Sequence, residues 1–375
     1  MAIQKINIEE FLALANQFPV LDVRSPGEYL HAHIPTAVSL PLFTDDERKI
    51  VGTAYKQQSR EIAIKLGLDF FGVKMRLMVE AAEGIIGNWQ GATGKESKPN
   101  NNSPLPIANC LLIHCWRGGM RSAAVAWLLD LYGFKVYTLA GGYKAYRNWA
   151  LQLFEQPYSL NIIGGYTGSG KTPVLQELKE RGYAVLDLEA LANHKGSAFG
   201  SLGENPQPSQ EMFENLLALN LHNLSNPLNG IFVEDESQRI GIINVPAVFW
   251  KQMRSSKILF LEIPFEERLK YLVANYGKFE KELLAIAISR IQNRLGGLET
   301  KMAIQFLQEE NYFECFRILL KYYDKWYFKG LNNRENLKTL LNKIPCDLVD
   351  PVKAVDNLME IISFSNQPQQ PVSNH

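Results

Sequence analysis

Two stretches of this chain carry residue types that can do chemistry. In the first, His114-Cys115-Trp116-Arg117-Gly118-Gly119-Met120-Arg121-Ser122, a cysteine enters a glycine-rich turn flanked by two arginines. A cysteine that ends an apolar run and precedes a helix faces successive backbone N–H groups and the positive end of that helix. With Arg117 and Arg121 beside it, the Cys115 thiol is expected to ionise readily, and the thiolate is the nucleophile. The plainer reading, a buried cysteine next to a tight turn, leaves the two arginines without a reason. The second stretch is Gly165-Tyr166-Thr167-Gly168-Ser169-Gly170-Lys171-Thr172, a GxxxxGKT loop. Glycines let backbone amides wrap phosphate oxygens, Lys171 reaches the terminal phosphates, and the Thr172 hydroxyl suits Mg²⁺. Gly165, Gly168, Ser169, Gly170, Lys171 and Thr172 are therefore the candidate phosphate ligands. Asp235, at the end of an apolar run, is the candidate carboxylate for ordering Mg²⁺, with Glu234 next to it. The loop pattern means a phosphate ligand; it does not mean ATP hydrolysis. Cys115 and Lys171 are 56 residues apart. A chain with both loops is suited to moving a group held on sulfur with the help of a phosphorylated partner.

The elements that must position these loops follow from the apolar pattern. Runs at 18–23, 110–114 and 135–139 predict strands, and 122–132 predicts a helix stopped by Gly133. Strands alternating with helices imply a parallel sheet over 1–155. Residues 91–106, rich in Gly, Asn, Ser, Pro and Lys, predict a mobile surface insertion. A boundary is expected near 153–158. Beyond it, 160–163 predicts a strand feeding the glycine loop, and 172–179 a helix with Pro173 in its first turn. Further strands are expected at 183–187, 230–235 and 257–263. Helical periodicity dominates 265–365, and the polar tail 366–375 is expected to be disordered. The resulting division is 1–155, 156–264, 265–365 and the tail.

Bulk composition limits the class. At 375 residues and 46% hydrophobic the chain can hold two or three cores. No apolar run is long enough to span a membrane and no signal peptide is evident, so a cytoplasmic location is expected. Four scattered cysteines, Cys110, Cys115, Cys315 and Cys346, form neither a disulfide framework nor a metal pair, and no metal-ligand set is expected. Acidic and basic residues balance at 39 each, which leaves any nucleic-acid surface local. The best local candidate is 317–343, with seven basic and two acidic residues. Arg317, Lys321, Lys325 and Lys329 recur every four residues, with Tyr322, Tyr323, Trp326, Tyr327 and Phe328 among them. Cations with rings suit RNA; a solvated basic face over an aromatic core explains the pattern as well.

H-C-x5-R-S is the signature spacing of cysteine phosphatases, and it is similar to the active loop of rhodanese-like sulfurtransferases. Leu21-Asp22-Val23-Arg24-Ser25-Pro26-Gly27-Glu28-Tyr29, His33-Ile34-Pro35-Thr36-Ala37 and Leu139-Ala140-Gly141-Gly142-Tyr143 resemble rhodanese flanking motifs. Thr36 departs from the usual glycine, and the cysteine loop is one residue longer than the common form. Asp22, Arg24, His31 and His33 are taken as fold-shaping residues. Together with Gly164 to Thr172, Val233-Glu234-Asp235-Glu236-Ser237, Glu47-Arg48 with Val51-Gly52-Thr53-Ala54-Tyr55-Lys56, Leu186-Asp187-Leu188-Glu189 with Gly196-Ser197 and Phe199-Gly200, and Arg294-Leu295-Gly296-Gly297, the order of motifs resembles the bacterial tRNA 2-selenouridine synthase family over nearly the whole chain.

That resemblance implies a fold and a reaction. The fold is α/β: a rhodanese-like parallel-sheet domain, a P-loop NTPase-like α/β domain, and a helical C-terminal region as candidate tRNA contact. The reaction is exchange at the wobble 2-thiouridine of Lys-, Glu- and Gln-type tRNAs. Geranyl diphosphate gives S-geranyl-2-thiouridine; selenium from selenophosphate then gives 2-selenouridine. Cys115 would carry selenium as a selenenyl sulfide, with Arg117 and Arg121 binding selenophosphate or stabilising the charged intermediate. The glycine loop would grip geranyl diphosphate, a nucleotide or a tRNA phosphate, with Mg²⁺ as a candidate ion. A general sulfurtransferase fused to a nucleotide-binding domain is the alternative, and a cysteine phosphatase the next.

Overall fold

The computed structural model describes residues 3–93, 109–224 and 227–365. It divides into two compact units, Met1–Leu153 with Glu214–Leu219, and Phe154–Phe213 with Asn220–His375. The tail and most of the expected insertion lie outside the described residues. Residues 91–93 close a helix, Met75–Thr93.

In the first unit five strands form one parallel sheet. Their spatial order is Gln4–Ile6, Lys135–Leu139, Cys110–His114, Val20–Asp22, Ala37–Ser39. The strand ending in the cysteine loop is central and buried along its whole length. Coverage on both faces is why its sequence is a continuous apolar run rather than an alternating one. The helix Met120–Tyr132 follows and ends at Gly133, whose φ of 114° only glycine adopts cheaply.

The simple alternation expected for this half does not hold throughout. Three consecutive helices, Asp45–Gln57, Arg60–Gly72 and Met75–Thr93, stand between the strands Ala37–Ser39 and Cys110–His114. Their starts are written locally. Thr44 accepts the Glu47 N–H while Glu47 accepts the Thr44 N–H, and Ser59 accepts the Ile62 N–H. Phe71, Met78, Val79 and Ala82 from this block pack in one core with Leu111 and Ile113.

The second unit holds another five-stranded parallel sheet. Its order is Leu341–Pro345, Lys257–Glu262, Leu160–Gly165, Ile231–Glu234, Val185–Leu186. Leu160–Gly165 is central and runs into the glycine loop and the helix Lys171–Glu180. The C-terminal third is mostly helical but includes one strand that the sequence pattern does not mark. Leu341–Pro345 returns to the sheet beside Lys257–Glu262, and Ala354, Val355 and Leu358 of the last helix share a core with Val174, Leu175 and Leu178. Only Ile344 of that strand is fully buried, so no apolar period marks it in the sequence. The helices between 265 and 332 build a second core around Leu269, Ile288, Leu307 and Leu320. Among the described residues no helix is long and apolar enough to cross a membrane.

Candidate functional site

Cys115 directly follows the central strand of the first unit and is 3% exposed. Its Sγ lies 3.2 Å from Ser122 Oγ and 3.4 Å from the Gly119 nitrogen, whose N–H donates to it. Burial works to raise the thiol. Hydrogen bonds from the Ser122 hydroxyl, and from the backbone N–H groups of Ser122, Gly119 and Arg117, outweigh burial and hold the thiol below its ordinary value. Ser122 Oγ is also 3.1 Å from the Gly119 carbonyl oxygen. One hydroxyl hydrogen serves one acceptor at a time. It bonds the carbonyl while the thiol is protonated and turns to the sulfur when the thiolate forms.

Local sequence shapes this cradle. Gly118 and Gly142 have φ of 62° and 59°, and a Cβ on Gly142 would lie 2.3 Å from the Cys115 carbonyl oxygen. The N–H groups of Tyr143 and Lys144 donate to the carbonyls of Cys115 and Trp116. The Gly141-Gly142-Tyr143 run thus clamps the cysteine loop from below.

The two arginines have different places. Arg121 Nη1 donates to Glu28 Oε2 at 2.7 Å, and Arg48 Nε donates to the same oxygen at 2.7 Å. Burial opposes the Glu28 charge, yet these two guanidiniums and the Ser25 N–H keep its carboxyl below the usual value. Arg121 therefore braces the loop, and its charge is largely matched by Glu28. Arg117 is exposed and lines the cavity beside Cys115. Hydrogen bonds at the sulfur, rather than the two arginine charges, account for the lowered thiol.

Beneath the loop, Arg24 and Asp22 form a buried ion pair at 2.6 Å, and the guanidinium stacks 3.9 Å from the centre of the Tyr143 ring. These groups tie elements together, as the sequence suggests. His114 is fully buried. Burial pushes its pKa down to about 4, so it is neutral, with Asp22 3.8 Å away and neither ring nitrogen hydrogen-bonded among the described residues.

A cavity of about 700 Å³ opens beside Cys115. Its wall comes from the helices Asp45–Gln57 and Arg60–Gly72 together with the cysteine loop, and it is mainly apolar. The Glu47-Arg48 and 51–56 stretches, which belong to the family resemblance, supply part of its lining, but their spacing assigns them no cavity, because the helical block that carries them is not foreseen.

In the second unit Gly165, Gly168 and Gly170 all take positive φ, 152°, 80° and 73°. Lys171 Nζ donates to the Gly165 carbonyl at 3.2 Å. Thr172 Oγ1 donates to Glu189 Oε2 at 3.2 Å. The Ser169 hydroxyl is buried without a hydrogen-bond partner among the described residues. Asp235 does not face the loop as a free carboxylate. Tyr327 donates to its Oδ2 at 2.7 Å, and Arg334, almost fully buried, pairs with Oδ1. The Tyr327 hydroxyl also accepts the Gly165 N–H at 3.1 Å. Arg268 donates to the Thr167 carbonyl at 3.0 Å and pairs with Asp324 at 2.8 Å. The helical region thus braces the loop.

The carboxyl groups on the Lys171 side are Glu189, Glu234 and Glu236. Burial raises all three, Glu234 and Glu236 well above the usual carboxylate range. Lys171 opposes that rise at Glu189 and at Glu236, and a hydrogen bond between these two places the proton on Glu236. Among the described residues no group of three or more His, Cys, Asp or Glu forms a metal cluster. The oxygens of Thr172 and Glu189 do fit Mg²⁺, which takes few protein oxygens plus phosphate and water. Arg334 and Arg268 carry no motif signal; Tyr327 belongs to the aromatic stripe and Glu189 to the Leu186-Asp187-Leu188-Glu189 mark of the family resemblance, and each reaches the loop from a distant element.

Ser122 gives a direct check on the cradle. A hydrogen bond to a charged group is worth about 1.5–3 kcal/mol before solvent compensates. Ser122→Ala should raise the depressed thiol and lower the thiolate fraction at neutral pH. Iodoacetamide alkylation of Cys115 at pH 7 then slows about three- to tenfold, while the rates converge well above the thiol pKa. An unmoved alkylation midpoint would assign the lowering to the backbone N–H groups alone.

Fold and site together define an α/β protein that pairs a thiolate cradle with a GxxxxGKT loop. The family model described as tRNA 2-selenouridine synthase AAA domain matches residues 158–343. A tRNA 2-selenouridine synthase of Shewanella denitrificans is 36% identical over 327 residues, 82% of this chain and 82% of that protein. One from Bdellovibrio bacteriovorus is 34% identical over 380 residues, 89% and 94% of the two. One from Hydrogenovibrio crunogenus is 34% identical over 350 residues, 85% and 90%. The chain belongs to the tRNA 2-selenouridine synthase family of enzymes.

Proposed function

We propose that this chain converts 2-thiouridine at the wobble position of tRNA into 2-selenouridine by way of S-geranyl-2-thiouridine. The first unit acts as the rhodanese-like domain, and the GxxxxGKT unit as the phosphate-binding domain. In the first step the 2-thio sulfur attacks geranyl diphosphate; a C–S bond forms and diphosphate leaves. Alkylation turns a poor leaving group into a good one. In the second step selenium from selenophosphate takes the place of the geranylthio group. The observation that carries this reading is a thiol of lowered pKa in the wall of an apolar cavity. It unites a nucleophile with a surface suited to a prenyl chain. Such a substrate puts the reaction in the cytoplasm.

Electron balance refines the part of Cys115. A selenenyl sulfide stands two electrons above thiolate plus selenide, and no co-substrate is an oxidant. The balanced route is nucleophilic catalysis. The Cys115 thiolate attacks C2, forms a C2–S bond and expels geranylthiolate, which takes up a proton. Selenium of selenophosphate then attacks C2 and expels Cys115, and water cleaves the P–Se bond to give phosphate. A thiolate of low pKa leaves faster, which suits the second displacement. Arg117 is the cation placed to bind selenophosphate.

The glycine loop grips the diphosphate of geranyl diphosphate, with a nucleotide or a tRNA phosphate as the other candidates. Thr172 and Glu189 would hold Mg²⁺, which when bound offsets the charge of the departing diphosphate. For tRNA of the Lys, Glu or Gln type, the outer face of the helix Tyr312–Asn332 is the candidate contact. Lys321, Lys325 and Lys329 are exposed there, with Trp326 40% and Phe328 57% exposed. Arg317 pairs with Glu266 and Glu314, and Tyr323 and Tyr327 turn inward, so they leave the stripe. Reversing Lys321 and Lys325 to Glu is expected to weaken tRNA binding most at low salt, with a shallower salt slope of roughly 0.7–0.9 per lost phosphate contact. Binding that matches the wild type at every salt concentration would make the stripe a solvated face.

The reaction itself is tested by mass spectrometry of nucleosides from 2-thiouridine tRNA incubated with the protein, geranyl diphosphate and selenophosphate. S-geranyl-2-thiouridine followed by 2-selenouridine is the expected result. An unchanged nucleoside profile with intact tRNA would favour the general sulfurtransferase.

A further inference from the structure

The two faces of the helix Tyr312–Asn332 have different partners. Leu320, Asp324, Tyr327 and Leu331 follow one another at helical spacing, which puts them on one side. That side is turned inward. Leu320 and Leu331 are buried, and the two polar residues between them hold the glycine loop. The Tyr327 hydroxyl accepts the Gly165 N–H at 3.1 Å. Asp324 accepts from both terminal nitrogens of Arg268 at 2.8 Å, and Arg268 donates to the Thr167 carbonyl at 3.0 Å. The helix thereby grips the loop at residues 165 and 167. Lys321, Lys325 and Lys329 recur on the opposite side and are exposed, with Trp326 and Phe328 beside them.

Gly165 is the point where loading of the loop is felt. Its N–H donates to Tyr327, whose hydroxyl in turn donates to Asp235, and its carbonyl accepts from Lys171. Its φ of 152° favours glycine, and a Cβ there would lie 2.4 Å from the Ser169 hydroxyl oxygen. Lys171 must leave this carbonyl to meet a phosphate. The arrival of an anion therefore changes one side of Gly165 while Tyr327 holds the other. Direct repulsion between a loop anion and an RNA phosphate acts across a helix about 10 Å wide, close to the Debye length at physiological salt, and is weak. What the helix transmits is order. An RNA that fixes the helix from outside also fixes Tyr327 and Asp324, and the loop then gives up less freedom when it takes its anion.

We propose that Tyr327 and Asp324 are positioning residues that make anion binding by the glycine loop tighter when tRNA occupies the opposite face of their helix. This rests on the readings above of the loop as the diphosphate site and of the lysine face as the tRNA contact. The diphosphate donor is then held firmly only when the nucleic acid that receives its chain is in place. That order of binding keeps water from taking the place of the 2-thio sulfur as nucleophile.

The test measures binding of inorganic diphosphate with Mg²⁺ to the full chain by calorimetry, alone and with a saturating unmodified Lys-type tRNA transcript, which has no 2-thio sulfur to alkylate. The wild type should bind diphosphate at least about fivefold more tightly with the tRNA present, and diphosphate should tighten tRNA by the same factor. Tyr327→Phe keeps the ring and removes only the hydroxyl. It should bring both factors to within about twofold of unity. Asp324→Asn, which weakens the hold on Arg268, should do so too. Circular dichroism confirms that each variant is folded. A purely structural brace would lower diphosphate affinity equally with and without tRNA and leave the factor intact. An uncoupled wild type, or folded variants that both keep the wild-type factor, would overturn the inference. Two controls keep the underlying readings apart. Diphosphate binding that survives Lys171→Ala removes the loop as the diphosphate site. Coupled tRNA binding that survives Lys321→Glu with Lys325→Glu removes the lysine face as the tRNA contact. Either result takes the inference with it, whereas absence of coupling with both controls as expected removes the inference alone.

Discussion

Cys115→Ala is expected to end selenium incorporation while S-geranyl-2-thiouridine still forms. In the proposed route the thiolate acts only on the alkylated base, so the geranyl transfer does not pass through it. Loss of an essential nucleophile costs about 10³-fold or more in rate, so 2-selenouridine should fall below detection and the S-geranyl nucleoside should accumulate. The cradle argues that this is chemistry rather than folding. Cys115 is a small buried side chain whose cost on truncation is limited to the sulfur and its weak hydrogen bonds to Ser122 and Gly119. Incubation of the wild type with S-geranyl tRNA, without selenophosphate, should trap the C2–S adduct as a protein–tRNA species that thiols release. Continued selenation by a folded Cys115→Ala variant, measured on isolated nucleosides, would remove Cys115 from the mechanism.

Lys171→Ala should produce the opposite pattern. Geranylation should fall about 10²- to 10³-fold, the scale of losing one charged group that stabilises a leaving anion. The rate of Cys115 alkylation by iodoacetamide should stay unchanged. Lys171 opposes the upward shift of Glu189 and Glu236. Its removal lets those carboxyls rise further and take up protons, so the loop loses a cation without stranding an anion. Pre-formed S-geranyl tRNA should therefore still be selenated. Geranylation at the wild-type rate would hand the diphosphate to another site and leave the loop to a nucleotide or an RNA phosphate. Loss of thiol reactivity together with geranylation would signal misfolding instead.

Much of this was legible in order along the chain. The strand Cys110–His114 is a continuous apolar run because both its faces are covered, and Gly133 marks the end of the next helix by its left-handed φ. The GxxxxGKT loop declares its own context, since strand, turn and helix follow within a dozen residues. Other parts left weaker marks. The three helices between 45 and 93 carry ordinary caps at Thr44 and Ser59, and their Glu47-Arg48 and 51–56 stretches carry a family resemblance without disclosing the cavity they line. Asp235 reads as a free carboxylate at a strand end, and only the fold reveals Tyr327 and Arg334 on its two oxygens.

The sequence by itself determined the reactive groups, the two parallel α/β frameworks and the loops that present Cys115 and Lys171. Those depend on period, glycine and side-chain type, all of which act over a few residues. Tertiary structure alone decided which charges remain available, because pairing depends on distance in space. It matched Arg121 to Glu28, tied both oxygens of Asp235 to Tyr327 and Arg334, and put Glu189 beside Thr172. It also opened the cavity beside the thiol, since an empty volume is set by the side chains of separate helices meeting across space, and no local pattern encodes it.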